Sequence, residues 1–357
     1  MSQERECLLE LLRNALWGCP VCDTSPNVIN RVLCLAEEQT VFALVFDAIS
    51  KLDIKINQNI LFESIGMVQT IQQQNQVIDR VLADFVCTIE KQGVEYLVVK
   101  GQTIAQLYPN PVLRMSGDID YLIKDDYHQV KTKIEKAQSI ELPSKLLEKE
   151  IAYNWKDVVF ELHTSLIDLW NKKHQKYWDR IVLDNWNDII QLKIDGATVY
   201  TLPPTLNAIY LFLHLFSHFS KVGISLRQLC DWAVYLRYYD KEIDKDRVQG
   251  ILKELGLQKA YAAFGAVLVD KLGLPEASFP MKIADSHRKW TSKILDDVFR
   301  GGNFGRMNHK SKHPWLFKLE SVGFALRNTV RYFKLAPSEM GMMIPKMIAL
   351  NIKLVLG

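Results

Sequence analysis

A chain of 357 residues, 48% hydrophobic and 24% charged, has room for two or three packed units and the composition of an ordinary globular protein, which excludes widespread disorder. The formal net charge of +3 is too small to point to a nucleic-acid partner by itself, although the last part of the chain is locally rich in Lys and Arg. Six cysteines in a chain of this size do not make a disulfide scaffold.

The N-terminus, MSQERECLLELLRNALWG, mixes charged and apolar residues in an amphipathic helix and has no uninterrupted apolar stretch of the secretory kind. Cys19 and Cys22 form a single CxxC, for which a zinc site would need Cys7, Cys34 or a histidine; reduced thiols are the simpler expectation. Residues 1–92 read as helical, with Leu61, Ile65, Val68, Ile71, Ile78, Leu82, Phe85 and Ile89 at three- and four-residue steps and Gly93 as the stop. From residue 93 to 202 the pattern becomes α+β. Short runs rich in β-branched and aromatic residues (VEYLVV, DIDYLI, IAYNW, VVFELHTSL, ATVYTL) alternate with helical pieces such as Tyr127 to Lys136.

Pro203-Pro204 opens a second helical region, 203–300. Leu206, Ile209, Leu213 and Phe216 form one stripe there, and Leu226, Leu229, Trp232, Ala233 and Leu236 another. Residues 301–357 read as a glycine loop, a basic stretch around Lys310 to His313, and terminal helices. The apolar run from Met340 to Leu356 is expected to dock on the protein, with a membrane-surface helix as the alternative. No window reaches about 18 uncharged apolar residues, so no transmembrane segment is expected, and a reducing cytoplasm is the default location.

The chemistry concentrates between Tyr96 and Ile123, YLVVKGQTIAQLYPNPVLRMSGDIDYLI. Asp118 and Asp120 lie two apart in a strand and so share a face, where their repulsion calls for a cation such as Mg²⁺ or Mn²⁺. Glu161 in VVFELH falls on the polar face of another strand, with His163 beside it, and is the candidate third ligand. Two such ions held by three carboxylates would activate a nucleophilic oxygen and neutralise a leaving pyrophosphate.

Lys100 and Gly101 end one strand and open a helix from Gln102 to Leu107, an arrangement that offers backbone N–H groups to a phosphate. Arg114 is placed either to clamp a phosphate or to pair with an aspartate. His214 and His218 share a helix face, as substrate contacts or as hydrogen-bonded core histidines. Arg227 and Asp231 have the spacing of an intrahelical ion pair, and Arg227 and His163 are further candidates for substrate contact.

The series KG…A…YP…P…R…DIDYLI, followed by Glu161-Leu162-His163, resembles the nucleotidyltransferases of the DNA polymerase β superfamily, in particular the branch described as uncharacterised nucleotidyltransferases. The resemblance is densest over Val94–Ser165 and continues through His214, Arg227 and Asp231 to Gly302-Asn303-Phe304-Gly305. It implies a small mixed sheet flanked by N- and C-terminal helical regions, with Asp118, Asp120 and Glu161 as ligands of two metal ions. It also implies transfer of a nucleoside monophosphate from a nucleoside triphosphate to a hydroxyl of a small molecule or a protein. Lys100-Gly101 stands where most of the superfamily has Gly-Ser, leaving Thr103 or Ser116 to supply the hydroxyl that touches triphosphate. That departure motivates a second reading, a nucleotide-binding or regulatory protein without catalysis. A third, nucleotide addition to RNA ends, draws on the basic C-terminal part, but interleaved stacking aromatics are missing and a nucleic-acid acceptor ranks below the others.

Overall fold

The structure, a computed structural model, describes residues 2–22, 26–52, 56–144, 149–302 and 314–343. Four helices come first: α1 (Gln3–Trp17), α2 (Pro26–Glu38), α3 (Phe42–Ser50) and α4 (Gln58–Glu90). Helix α3 is apolar nearly all round, as FALVFDAIS requires, and is buried accordingly. Asn57 caps α4 through its side chain, which accepts the Asn59 N–H. The apolar stripe of α4 is deeply buried from Ile71 onward, whereas Ile65, expected on the same stripe, is exposed.

The α+β part follows: β1 (Tyr96–Val99), α5 (Gly101–Ala105), β2 (Asp118–Ile123), α6 (Tyr127–Gln138), β3 (Glu150–Trp155), β4 (Val158–His163), α7 (Lys172–Asp184), β5 (Ile190–Ile194) and β6 (Ala197–Thr201). Four strands form one sheet in the order β1-β2-β4-β3, with β2 parallel to β4 and the other pairs antiparallel. The fold is therefore α+β with a small mixed sheet. Strands β5 and β6 make a separate hairpin across Asp195-Gly196, where both residues take the positive φ that a tight two-residue turn needs.

Helices α8 (Pro204–Lys221), α9 (Leu226–Tyr238), α10 (Lys245–Glu254), α11 (Gln258–Leu272), α12 (Asp285–Arg288), α13 (Thr291–Gly301) and α14 (Pro314–Tyr332) complete the order, followed by helical residues 337–343. Pro204 occupies the first turn of α8, where its missing N–H has no helical partner to lose. Asn303 to Gly305, Lys310 to His313 and the 344–356 part of the expected terminal helix lie outside the described residues.

Alternation along the strands sends side chains into two cores. Tyr96, Val98, Ile119, Tyr121, Ile123, Phe160 and Leu162 join α4 and α6 on one face. Phe85 of α4 anchors that side, its ring 4.8 Å from Tyr121 and 5.1 Å from Phe160 between centroids. Leu97, Val99 and Leu122 join a larger core on the other face, shared with α8, α9 and α11. Helix α1 also belongs to this larger core: Trp17 Nε1–H donates to the Leu272 carbonyl at 2.6 Å and Arg13 to the Lys271 carbonyl at 2.9 Å. Chain order and packing thus divide the molecule differently. Helices α1 to α3 and the C-terminal ones fill one interior, and the sheet separates it from the side packed by the second half of α4 and by α6.

Candidate active site

The polar positions of β2 and β4 meet on the face that looks toward α8 and α9. Parallel pairing sets Asp120 opposite Glu161 and Leu122 opposite His163. Asp118 sits two residues before Asp120 and shares its face, as the period of two demands. These side chains line a cleft of about 790 Å³ together with Lys100, Gly101, Arg114, Lys149, Glu150, Asp168, His214, His218, Lys221, Arg227 and Asp231.

Asp120 is the centre of the cluster. Its Oδ1 is 2.8 Å from Lys100 Nζ and 2.9 Å from His163 Nε2. His163 Nε2 lies 3.8 Å from Glu161 Oε2, and His163 Nδ1 lies 3.5 Å from Glu150 Oε2. Antiparallel pairing of Val99 with Asp120 explains how Lys100, the next residue, comes to stand beside the carboxylate. Lys100 Nζ also meets His214 Nε2 of α8 at 2.9 Å. The backbone bends sharply to allow this. Lys100 has φ 57° and ψ −149°, and Gly101 has φ 43°. The positive φ favours glycine at position 101, and a Cβ there would press on the Asp118 carbonyl oxygen at 3.3 Å.

Electrostatics follow from burial and proximity. Burial alone would raise the Asp120 carboxyl, but Lys100 and His163 outweigh it and hold the group well below the usual carboxylate range. Burial together with the Asp120 charge pushes the Glu161 carboxyl up to about 8, with Lys100 only partly offsetting them. Asp118 is raised for the same two reasons. His214 is lowered by burial and by Lys100, so its ring is neutral and its Nε2 is free to accept the Lys100 proton donor. His218, its ring tilted by 55° against that of His214 at 4.4 Å between centroids, is pushed down to about 3 by burial and then by Lys100.

Arg114 is engaged elsewhere. Its Nε and Nη2 donate to Asp231 Oδ1 and Oδ2 at 2.8 and 2.7 Å, and its Nη1 to Ser116 Oγ at 2.8 Å. Of the two roles open to Arg114 in the sequence, pairing with an aspartate is therefore the one seen, and the aspartate is neither Asp118 nor Asp120. Asp231 consequently turns to Arg114 and to the Tyr108 hydroxyl, at 2.7 Å, rather than to Arg227 one turn earlier in α9. Arg227 donates instead to the Met115 carbonyl at 2.9 Å, and its Nε has no hydrogen-bond partner although it is buried. The hydroxyl of Thr103 donates to the Lys100 carbonyl at 2.7 Å, closing the first turn of α5. Neither Thr103 nor Ser116 lines the cleft.

Sequence reasoning did not single out Lys149, Glu150 or Asp168. Lys149 Nζ lies 3.3 Å from Asp168 Oδ1, and Lys221 Nζ lies 3.9 Å from Asp168 Oδ2 and 5.1 Å above the Trp170 ring. Their common place in the cleft depends on the β3–β4 pairing and on the path from β4 to α7, which no local pattern reveals.

The donor set suits a hard divalent cation. Ligand atoms of Asp120, Glu161 and His163 all lie within 4.8 Å of one another. Two facing carboxylates with one imidazole, and a third carboxylate on the same face, match the oxygen-rich preference of Mg²⁺ or Mn²⁺. Among the described residues no comparable group includes Cys19 or Cys22. No helix among them is long and apolar enough to cross a membrane.

Comparison with known proteins agrees with this picture at the level of family. None of the curated proteins compared with the chain is a significant match. Among solved structures, an antigenic nucleotidyltransferase-like protein from Paracoccidioides brasiliensis is similar over 57% of this chain and 92% of its own, at 13% identity and a TM-score of 0.29, too low to bear on the geometry. The model of the family described as uncharacterised nucleotidyltransferase matches residues 25–272, spanning the sheet, the cleft and helices α8 to α11. The chain belongs to the uncharacterised nucleotidyltransferase family.

Proposed function

We propose that the protein transfers a nucleoside monophosphate from a nucleoside triphosphate to a hydroxyl of a small-molecule or protein acceptor, with Mg²⁺ or Mn²⁺. The observation that carries this reading is the placement of Asp120 opposite Glu161, with Asp118 on the same face, in a cleft that also presents Lys100 and Arg227. Asp118 and Asp120 would hold two ions jointly, and Glu161 would complete the site nearer the acceptor. Ions held by these residues would supply a lowered pKa for the attacking oxygen and compensation of charge on the departing pyrophosphate.

The chain's own groups supply the rest. The bond from acceptor oxygen to the α-phosphorus forms as the bond from that phosphorus to the bridging oxygen breaks, and pyrophosphate leaves with that electron pair. Glu161, as carboxylate, takes the proton of the acceptor hydroxyl. Lys100, the Gly101 N–H and Arg227 bind the phosphates. Arg114, fixed by Asp231, holds the loop that leads into β2. Residues 93–202 are the catalytic module in this reading, residues 1–92 and 203–300 shape the acceptor pocket, and the protein works in the cytoplasm.

The test is incubation with each α-labelled triphosphate and Mg²⁺ or Mn²⁺ in cell extract, followed by identification of the labelled species. Asp118→Ala and Asp120→Ala should each abolish metal-dependent labelling while the protein stays folded by circular dichroism. Full labelling with either variant overturns the proposal.

A further inference from the structure

The Lys100 ammonium lies on Asp120 at 2.8 Å, in the position where the cluster of Asp120, Glu161 and His163 would otherwise need a cation. We infer that Lys100 is a positioning residue that couples metal binding to triphosphate binding, by exchanging Asp120 for a phosphate oxygen when the metal arrives. The inference rests on the nucleotidyltransferase reading and adds an order of events to it.

A divalent ion and an ammonium cannot share one buried oxygen without strong repulsion, and Asp120 Oδ1 lies 2.8 Å from Lys100 Nζ. A divalent ion on Asp120 therefore displaces the ammonium. Once displaced, Lys100 needs another anion, because a buried unpaired charge is costly. Of its two observed partners, His214 is neutral and offers only a lone pair. Of the other cleft carboxylates, Asp118 and Glu161 are the remaining ligands of the same metal site, Glu150 faces His163 Nδ1 at 3.5 Å, and Asp168 and Asp231 are paired with Lys149 and Arg114. The anion left to Lys100 is the triphosphate itself. Metal alone therefore binds poorly, triphosphate alone meets a lysine already paired with Asp120, and the two together satisfy every charge.

The backbone supports an exchange of this kind. Lys100 holds φ 57° and ψ −149°, a strained setting for a residue with a side chain. The Thr103 hydroxyl fixes the Lys100 carbonyl at 2.7 Å, and His214 of α8 holds the ammonium at 2.9 Å. The side chain can thus let go of Asp120 while its backbone and its contact with α8 stay in place.

The experiment is calorimetric titration of the full chain with Mn²⁺, in the absence and presence of a non-hydrolysable triphosphate analogue, for the wild type and Lys100→Met. In the wild type the analogue should tighten Mn²⁺ binding by about 5- to 150-fold, the usual range of coupling between sites. Lys100→Met should bind Mn²⁺ alone more tightly than wild type and lose most of the coupling. Equal Mn²⁺ affinity of the wild type with and without the analogue overturns the inference, a result that needs no variant to fold. Equal Mn²⁺ affinity of the wild type and a folded Lys100→Met overturns it as well. Absence of any Mn²⁺ binding under all four conditions fails the metal-dependent reading itself and so is distinguishable from either outcome.

Discussion

Arg114 and Asp231 face each other across the cleft wall as a bidentate pair, at 2.8 and 2.7 Å, with side chains 4% and 9% exposed. The pair ties the loop before β2 to the middle of α9, so the strand that carries Asp118 and Asp120 is held in place from the C-terminal half of the chain. Burial favours the neutral form of each partner, yet the contact keeps Asp231 below and Arg114 above their ordinary ranges.

Asp231→Ala leaves the Arg114 guanidinium buried with only Ser116 and the Met115 carbonyl for company. Urea denaturation should show a loss of about 3–5 kcal/mol. The double variant Arg114→Leu/Asp231→Leu should recover much of that loss, because two apolar side chains leave no charge unpaired. A double variant less stable than Asp231→Ala would mean that the pair does more than neutralise itself.

Glu161 gives a pH signature to metal binding. Its carboxyl, pushed up to about 8 by burial and by Asp120, is mostly protonated at neutral pH and must lose that proton to act as a ligand. Apparent Mn²⁺ affinity should rise about tenfold per pH unit up to roughly pH 8 and level off above it, with proton release to the buffer below that point. Glu161→Gln should bind more weakly and with a flat profile over the same range.

His218 ties folding stability to pH. Its folded pKa of about 3 is below the ordinary histidine value of 6.5, so the unfolded chain binds the proton first as pH falls. The contribution is complete above the ordinary value and is lost toward the folded one, by at most about 1.4 kcal/mol per pH unit. Glu161 changes in the other direction over part of this window, since its folded pKa of about 8 favours the protonated native state as pH falls. The difference between wild type and His218→Gln isolates the histidine. Their stability gap should change as pH drops from about 6.5 to 4.5, and a constant gap would contradict the burial of a neutral ring.

Gly101→Ala should harm both turnover and folding. The new Cβ would be 3.3 Å from the Asp118 carbonyl, at a φ of 43° that L-residues rarely adopt. A stability cost of about 1 kcal/mol is expected from the backbone. Displacement of Asp118 and of the Lys100-Gly101 turn by a few tenths of an ångström should lower kcat/KM by about 3- to 10-fold, scaled from the roughly 100-fold cost of a full ångström in positioned sites. Steady-state kinetics beside thermal melts separates the two.

Much of this site was legible because strands announce their faces. DIDYLI and VVFELH alternate clearly, so the common face of Asp118 and Asp120, and that of Glu161 and His163, followed from period two alone. The length of α4 and its glycine stop were likewise periodic facts. Strand β5, Ile190–Ile194, escaped because IQLKI is short and only its Asp-Gly turn marks it. Helix α7, KKHQKYWDRIVLD, escaped because polar residues outnumber its buried ones, Gln175, Trp178 and Val182. Long-range partners were out of reach in principle: Arg114 finds Asp231 at a separation of 117 residues and Lys100 finds His214 at 114. Nothing local to Lys100 points to Asp120; antiparallel pairing of Val99 with Asp120 is what turns the lysine inward.

The two-sided sheet bears on how this protein can be dissected. A fragment cut to residues 93–202 would keep the three carboxylates and the Lys100 turn, yet it would lay Leu97, Val99 and Leu122 open to water along one face. It would also forfeit His214, Arg227 and Asp231, which α8 and α9 bring to the cleft. Such a fragment should self-associate through that bared surface, so expression of the isolated module is a poor route to its enzymology, and the intact chain is the smallest useful reagent.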